Sequence, residues 1–118
     1  MRPKTIFCDI DGTLVRHEKP SAATRPSFSM TVLDGTIEKL LEWDRKGYNI
    51  ILTTGRKESL RESTVAQLHE AGIFYDQLIM GIGGGYRVLI NDRKPDSADD
   101  TARAINLTRN KGIGSIEV

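Results

Sequence analysis

A single cysteine, Cys8, stands in a chain of 118 residues, so no internal disulfide can form. Its place inside an apolar run marks a buried core residue, and no neighbouring group would make it a nucleophile. An excess of one charge is also missing. With 17 basic and 16 acidic residues the net charge is +1, which gives no electrostatic footprint for nucleic acid or a membrane surface. Any charged binding site must therefore be local. No apolar run approaches the ~20 residues of a membrane span, and no leader-peptide pattern opens the sequence. A cytoplasmic protein without membrane partners is expected. Internal repeats and low-complexity tracts are absent as well.

What is present is an ordinary globular composition, 38% hydrophobic and 28% charged, of a length that suits one domain over residues 1–118. Near its start the stretch Phe7-Cys8-Asp9-Ile10-Asp11-Gly12-Thr13 organises the rest. Thr5 to Ile10 reads as a strand. Side chains two apart on a strand share a face, so Asp9 and Asp11 face one small volume where the strand breaks at Gly12. In an open α/β sheet that end is where ligands bind.

From Leu14 to Leu33 the periodicity is lost, and Pro20, Ser21, Pro26, Ser27 and Ser29 mark a long connection, read as a functional flap. Asp34 is a candidate N-cap for a helix carrying Ile37, Leu40 and Leu41 inward, with Gly47 as its stop and Trp43 packing at its edge. Tyr48 to Thr53 suits a buried strand and ends in Thr54-Gly55-Arg56. A helix from about Ser59 to Ala71 places Leu60, Val65 and Leu68 inward and stops at Gly72. His69, late in that helix, reads as solvated, and His17 in the flap is a weak candidate for substrate contact.

Gln77 to Met80 forms a short third strand. Gly81-Ile82-Gly83-Gly84-Gly85 after it lacks the last glycine and the following helix of a dinucleotide site, and reads as a turn. Arg87 to Ile90 is a fourth strand running into Asn91-Asp92-Arg93-Lys94-Pro95-Asp96, and Ala104 to Leu107 is a candidate edge strand. The tail from Arg109 to Val118 shows no readable pattern.

Strands separated by helices imply crossovers and a parallel sheet, with every strand C-terminus along one edge. The fold expected is a three-layer Rossmann-like α/β sheet with helices on both faces. Asp9, Asp11, Thr54, Arg56, Asp92 and Asp96 then converge. Several carboxylates in one pocket repel unless a cation lies among them. Oxygen donors without histidine or cysteine select a hard ion, and octahedral Mg²⁺ is the natural choice. It would also reconcile the carboxylates with a phosphate dianion. Such a site permits phosphoryl transfer to one aspartate, with a second moving the proton. A hydroxyl and a cation, Thr54 and Arg56, would hold the phosphoryl oxygens.

These residues resemble the haloacid dehalogenase-like (HAD-like) phosphatases. Asp9-Ile10-Asp11-Gly12-Thr13-Leu14 is similar to the family's first motif, Thr54-Gly55-Arg56 to a form of the second, and Asp92 with Asp96 to the fourth. The resemblance implies that Asp9 is nucleophile and Mg²⁺ ligand, and that Asp11 is general acid/base and ligates through its carbonyl. It implies Asp92 and Asp96 as further acids on the metal side and Thr54 as the phosphate-binding hydroxyl. Gly12, Thr13, Gly55 and Arg56 complete the substrate loops. Two departures stand out: the lysine of the third motif is replaced by Gly81-Ile82-Gly83, and Asn91 stands where relatives carry a first aspartate. Lys94 is the candidate for the missing cation, with Lys57 and Arg87 behind it.

No segment is long enough for a cap domain. An open site then takes a large phosphorylated partner or is covered by another subunit of a homo-oligomer. The first functional reading is a Mg²⁺-dependent phosphomonoesterase for a small phosphorylated metabolite such as a sugar phosphate. A second keeps the chemistry but acts on a phosphorylated nucleic-acid end or protein; the near-neutral charge weighs against nucleic acid. A third is a non-catalytic accessory domain, supported by the missing lysine and Asn91.

Overall fold

The computed structural model describes residues 2–23 and 28–118. Apolar and β-branched runs form three strands, β1 (Thr5–Asp9), β2 (Asn49–Thr53) and β3 (Gln77–Ile79), paired in parallel in the order β1-β2-β3. Ile6 lies beside Ile50, Cys8 beside Leu52, and Leu52 beside Leu78. This row belongs to the core, together with Leu40, Trp43 and Leu68 of the helices. The alternate row exposes more, with Phe7 54% accessible. Right-handed crossovers that step in one direction along a sheet put their helices on the same face, which explains the asymmetry. The parallel Rossmann-like α/β class expected from the sequence is the class observed, but among the described residues the two main helices pack on one face of the sheet and not on both.

Two main helices fill the crossovers, α2 (Thr36–Arg45) and α3 (Arg61–Glu70); a short helix, α1 (Pro20–Ala23), precedes them and a 3₁₀ turn, Glu58–Leu60, leads into α3. The inward stripe of α2 is Thr36, Leu40 and Trp43, spaced four and three apart, so Leu41 points outward. Trp43 is therefore a core residue, 1% exposed, and not an edge residue. Asp34 is not the N-cap. Gly35 occupies that position with no side-chain cap, and the Thr36 hydroxyl donates to the Leu14 carbonyl at 2.8 Å. At the other end Tyr48 N–H reaches Trp43 O and Gly47 N–H reaches Asp44 O, so the helix stops at Gly47 as expected. The same pair of bonds closes α3, from Ile73 to Leu68 and Gly72 to His69. In α3 the inward residues are Thr64, Gln67 and Leu68, while Val65 is exposed, contrary to expectation.

The long first connection is anchored at both ends. Leu14, Val15 and Met30 are core residues, Val15 bridges to Val32, and Arg16 N–H donates to Thr31 O at 2.8 Å. Residues 24–27 of the expected flap lie outside the described residues.

The expected fourth strand at Arg87–Ile90 and edge strand at Ala104–Leu107 do not form. Residues 86–106 instead make an arm in which Val88 and Ile90 are 81% and 89% exposed. Its limbs are joined by side chains: Asn91 to Thr101, the Thr101 hydroxyl to Asp92 O, and Arg93 to Asp100. The physical reason is reach. A parallel crossover takes a dozen or more residues, and residues 80–86 are too few to bring a strand round to the far edge of β1. The molecule is correspondingly elongated, 53 × 28 × 25 Å.

The tail is structured after all. Ile113 is a core residue, Leu107, Ile116 and Val118 pack against the core, and Lys39 donates to Ile116 O at 2.9 Å. No helix among the described residues is long and apolar enough to cross a membrane.

Candidate active site

The end of β1 is built by backbone bonds. The Ile10 carbonyl accepts from the N–H groups of Thr13, Leu14 and Val15, and Gly12 N–H closes onto Val15 O at 2.7 Å. This tight turn needs a left-handed residue, and Gly12 supplies it with φ +88°. Asp9 and Asp11 are thereby held on one loop. The Thr13 hydroxyl donates to Asp9 Oδ2 at 3.2 Å.

The Asp9 carboxyl is pushed above its ordinary value. Desolvation against the loop is the largest influence, and the negative charge of Asp11 adds to it; the Ile10 N–H, the Thr13 hydroxyl and the positive charge of Arg87 pull the other way. Beneath it the Cys8 thiol is raised to about 12, by burial first and by Asp9 second, so it carries no thiolate.

At the end of β2, Thr54 is buried, and its hydroxyl oxygen accepts from Arg56 N–H at 3.1 Å. The Arg56 side chain turns to Asp11. Its Nε and Nη2 donate to Asp11 Oδ2 and Oδ1 at 3.0 and 2.8 Å, a bidentate pair. Its Nη1 is held by Gln67 Oε1 at 2.8 Å and Thr64 Oγ1 at 3.3 Å. All three guanidinium nitrogens are thus engaged. The expectation of a cation free for phosphate is replaced by one that orients Asp11.

The glycine turn closes onto this loop. A Cβ at Gly55 would stand 2.6 Å from the Gly83 carbonyl oxygen, so only glycine permits the approach. Arg87 then donates to the Gly83 carbonyl at 2.8 Å and to that of Gly85, in a position from which its charge acts on Asp9. From the tail, Asn110 N–H donates to Gly12 O at 2.8 Å and Asn110 Oδ1 accepts from His17 N–H at 2.8 Å. The Arg109 side chain lies against Gly12, its Cγ 3.2 Å from where a Cβ would be.

Of the residues singled out in the sequence, Asp9, Asp11, Gly12, Thr13, Thr54, Gly55 and Arg56 meet at the adjoining ends of β1 and β2. Asp92, Lys94 and Asp96 do not join them. They lie exposed on the arm, and none contributes to the charge around Asp9. The cation that does is Arg87, in place of the expected Lys94. Thr64 and Gln67 were missed, although two polar residues three apart on the inward face of a helix are a legible signal of a buried polar partner. Arg109 and Asn110 carried no local signal. Among the described residues no three His, Cys, Asp or Glu side chains could together hold a metal. The donors at hand, the Asp9 carboxylate and the Asp11 carbonyl, are nonetheless hard oxygens of the kind Mg²⁺ takes, and Mg²⁺ keeps several waters.

Comparison with known proteins agrees with this geometry. The family model described as the polynucleotide kinase PNKP phosphatase domain matches residues 3–100. Two structures of a Pnkp1/Rnl/Hen1 complex, one described as an RNA repair complex, are similar at 32% identity and a TM-score of 0.58. They align with 73% and 72% of this chain, which spans only 30% and 28% of theirs. A structural-genomics target from Vibrio cholerae shares the fold at 19% identity and a TM-score of 0.54, over 75% of this chain and 79% of its own. No curated protein matches. With the first two motifs joined at one sheet edge and the family model spanning most of the sequence, the chain belongs to the PNKP phosphatase-domain family, within the HAD-like phosphatases.

Proposed function

We propose that the chain is a Mg²⁺-dependent phosphomonoesterase that removes a terminal phosphate from a nucleic-acid end, through a phosphoryl group carried on Asp9. The observation that carries the chemistry is Asp11 held bidentately by Arg56 beside an Asp9 whose carboxylate is held by the Thr13 hydroxyl. The substrate class is supported by the PNKP family match and by an open rim bearing Arg87 and Arg109, two exposed cations that suit a polyanionic end. This departs from the sugar phosphate favoured on sequence alone. Local cations, not net charge, carry the revised reading.

Asp9 attacks phosphorus, forming the Asp9–O–P bond as the bond to the nucleic-acid oxygen breaks. Asp11 acts once one of its oxygens has left the Arg56 fork and taken up a proton from solvent; it gives that proton to the leaving oxygen and recovers one from the water that hydrolyses the acyl phosphate. The Thr54 hydroxyl, with its oxygen already accepting from Arg56 N–H, keeps its own hydrogen to donate to a phosphoryl oxygen. Arg87 neutralises charge near Asp9. Mg²⁺, held by the Asp9 carboxylate and the Asp11 carbonyl, would screen carboxylate from phosphate.

The test is phosphate release from a 3′-phosphorylated oligonucleotide and from a panel of sugar monophosphates, with Mg²⁺ or with chelator. Release from the oligonucleotide that needs Mg²⁺ and disappears in Asp9→Asn is expected. Faster turnover of a sugar phosphate would return the substrate to the small-metabolite class, and full activity in Asp9→Asn would remove the nucleophile.

A further inference from the structure

We infer that the fourth strand and the third carboxylate of this site come from a second copy of the chain, by reciprocal exchange of the arm. In this arrangement Val88–Ile90 of one copy lies parallel to the free edge of β1 in the other, and Asp92 comes beside the Asp9 and Asp11 of that other copy. The inference rests on the proposed metal chemistry for the role of Asp92, but its strand exchange stands on the fold alone.

Four observations lead to it. First, β1 pairs only with β2 among the described residues, so its other edge presents unpaired N–H and C=O groups, next to an exposed Phe7. Second, the arm has the complementary need. Val88, Leu89 and Ile90 form an exposed aliphatic run, and side chains alone join the two limbs, so the backbone of the run is free to pair. Third, edge and run cannot meet in one chain. Residues 80–86 are too few for a parallel crossover, and the base of the arm is pinned over the strand ends by Gly83 against Gly55. Fourth, the arm starts and returns beside the site: Arg87 donates to the Gly83 carbonyl, which lies against Gly55, and Asn110, just past the arm, is bonded to Gly12, so the arm leaves from the rim that it would complete in its neighbour.

Register supplies the chemistry. A parallel strand with Ile90 level with Asp9 carries Asp92 level with Asp11, at the C-terminal end where both carboxylates stand. Within one chain the donors are two; the exchanged carboxylate gives the hard-ion site the third that the described residues of a single chain do not gather. Because each copy has both an open edge and an arm, one two-fold axis satisfies both and leaves nothing to propagate.

The experiment combines assembly, metal binding and complementation. Wild type should run as a dimer in size-exclusion chromatography with light scattering. Leu89→Asp, whose site is exposed in a lone chain, should give folded monomers that have lost Mg²⁺ binding in calorimetry. Asp9→Asn and Asp92→Asn, each expected to lack Mg²⁺ binding and phosphate release, are then co-expressed. In exchanged dimers half the molecules are mixed and one of their two sites is intact, so roughly one quarter of wild-type Mg²⁺ binding and activity returns. A wild type that binds Mg²⁺ as a monomer overturns the proposal, as does a mixture that regains nothing, or Asp92→Asn binding Mg²⁺ like wild type. Recovery of Mg²⁺ binding without phosphate release from any form, wild type included, supports the exchange and removes the phosphatase reading instead.

Discussion

At Asp11 both carboxylate oxygens are taken by one guanidinium, and that guanidinium is itself held by Thr64 and Gln67. Lysine has no planar fork and could reach only one oxygen. Arg56→Lys should therefore lower kcat about 10- to 100-fold, the range typical when a supporting hydrogen-bond partner of a reacting group is lost. KM should change little, a split that steady-state kinetics reads directly. The raised pKa of Asp9 gives a second expectation. Its folded value lies above the ordinary 3.8, so the stability tied to its protonation is fully present below that pH and is lost as pH rises through the folded value. With chelator present, Asp9→Asn should match wild type in the acid and equal or exceed it at neutral pH; urea titrations at several pH values measure this. Cys8, its thiol raised to about 12 by burial, should resist thiol reagents at pH 8 and react only on unfolding.

At the scale of elements, the tail behaves as part of the core. Ile113→Ala should cost about 2–5 kcal/mol, read from urea unfolding, since it empties a fully buried site. Nothing local in the sequence points to Ile113, because its partners come from distant segments and its own neighbours, Gly112 and Gly114, read as loop. The strand ends at Asp9 and Thr54 were legible for the opposite reason: an apolar run, a polar residue and a glycine lie within a few positions of each other. Arg87–Ile90 shows where such reasoning stops. Its residues favour a strand, but propensity says nothing of whether the chain can reach an edge, and the brevity of residues 80–86 decides that. Trp43 turns inward because the buried stripe runs through Thr36 and Leu40 and not through Leu41; one position along a helix is about 100° of rotation, enough to move an edge residue into the core.

For the molecule as a whole, the near-zero net charge limits how nucleic acid can be held. A basic face would bind many phosphates, and this chain offers two exposed arginines at the rim, Arg87 and Arg109, with the carboxylates of Asp9 and Asp11 between its strand ends. Counterion release from single strands changes log Kobs by about −0.7 per phosphate contact against log salt concentration, so two contacts give a slope of about −1.4. Binding of a 3′-phosphorylated oligonucleotide to Asp9→Asn, followed by fluorescence anisotropy from low to moderate salt, should show that shallow slope. Arg109→Gln should flatten it by about half, because one of two contacts is gone. A slope several times steeper would require a basic surface that neither the composition nor the rim provides, and would place the main nucleic-acid contact elsewhere on the molecule. An affinity that depends on the terminal phosphate but hardly on salt would point back to a small phosphorylated ligand held by the loop itself.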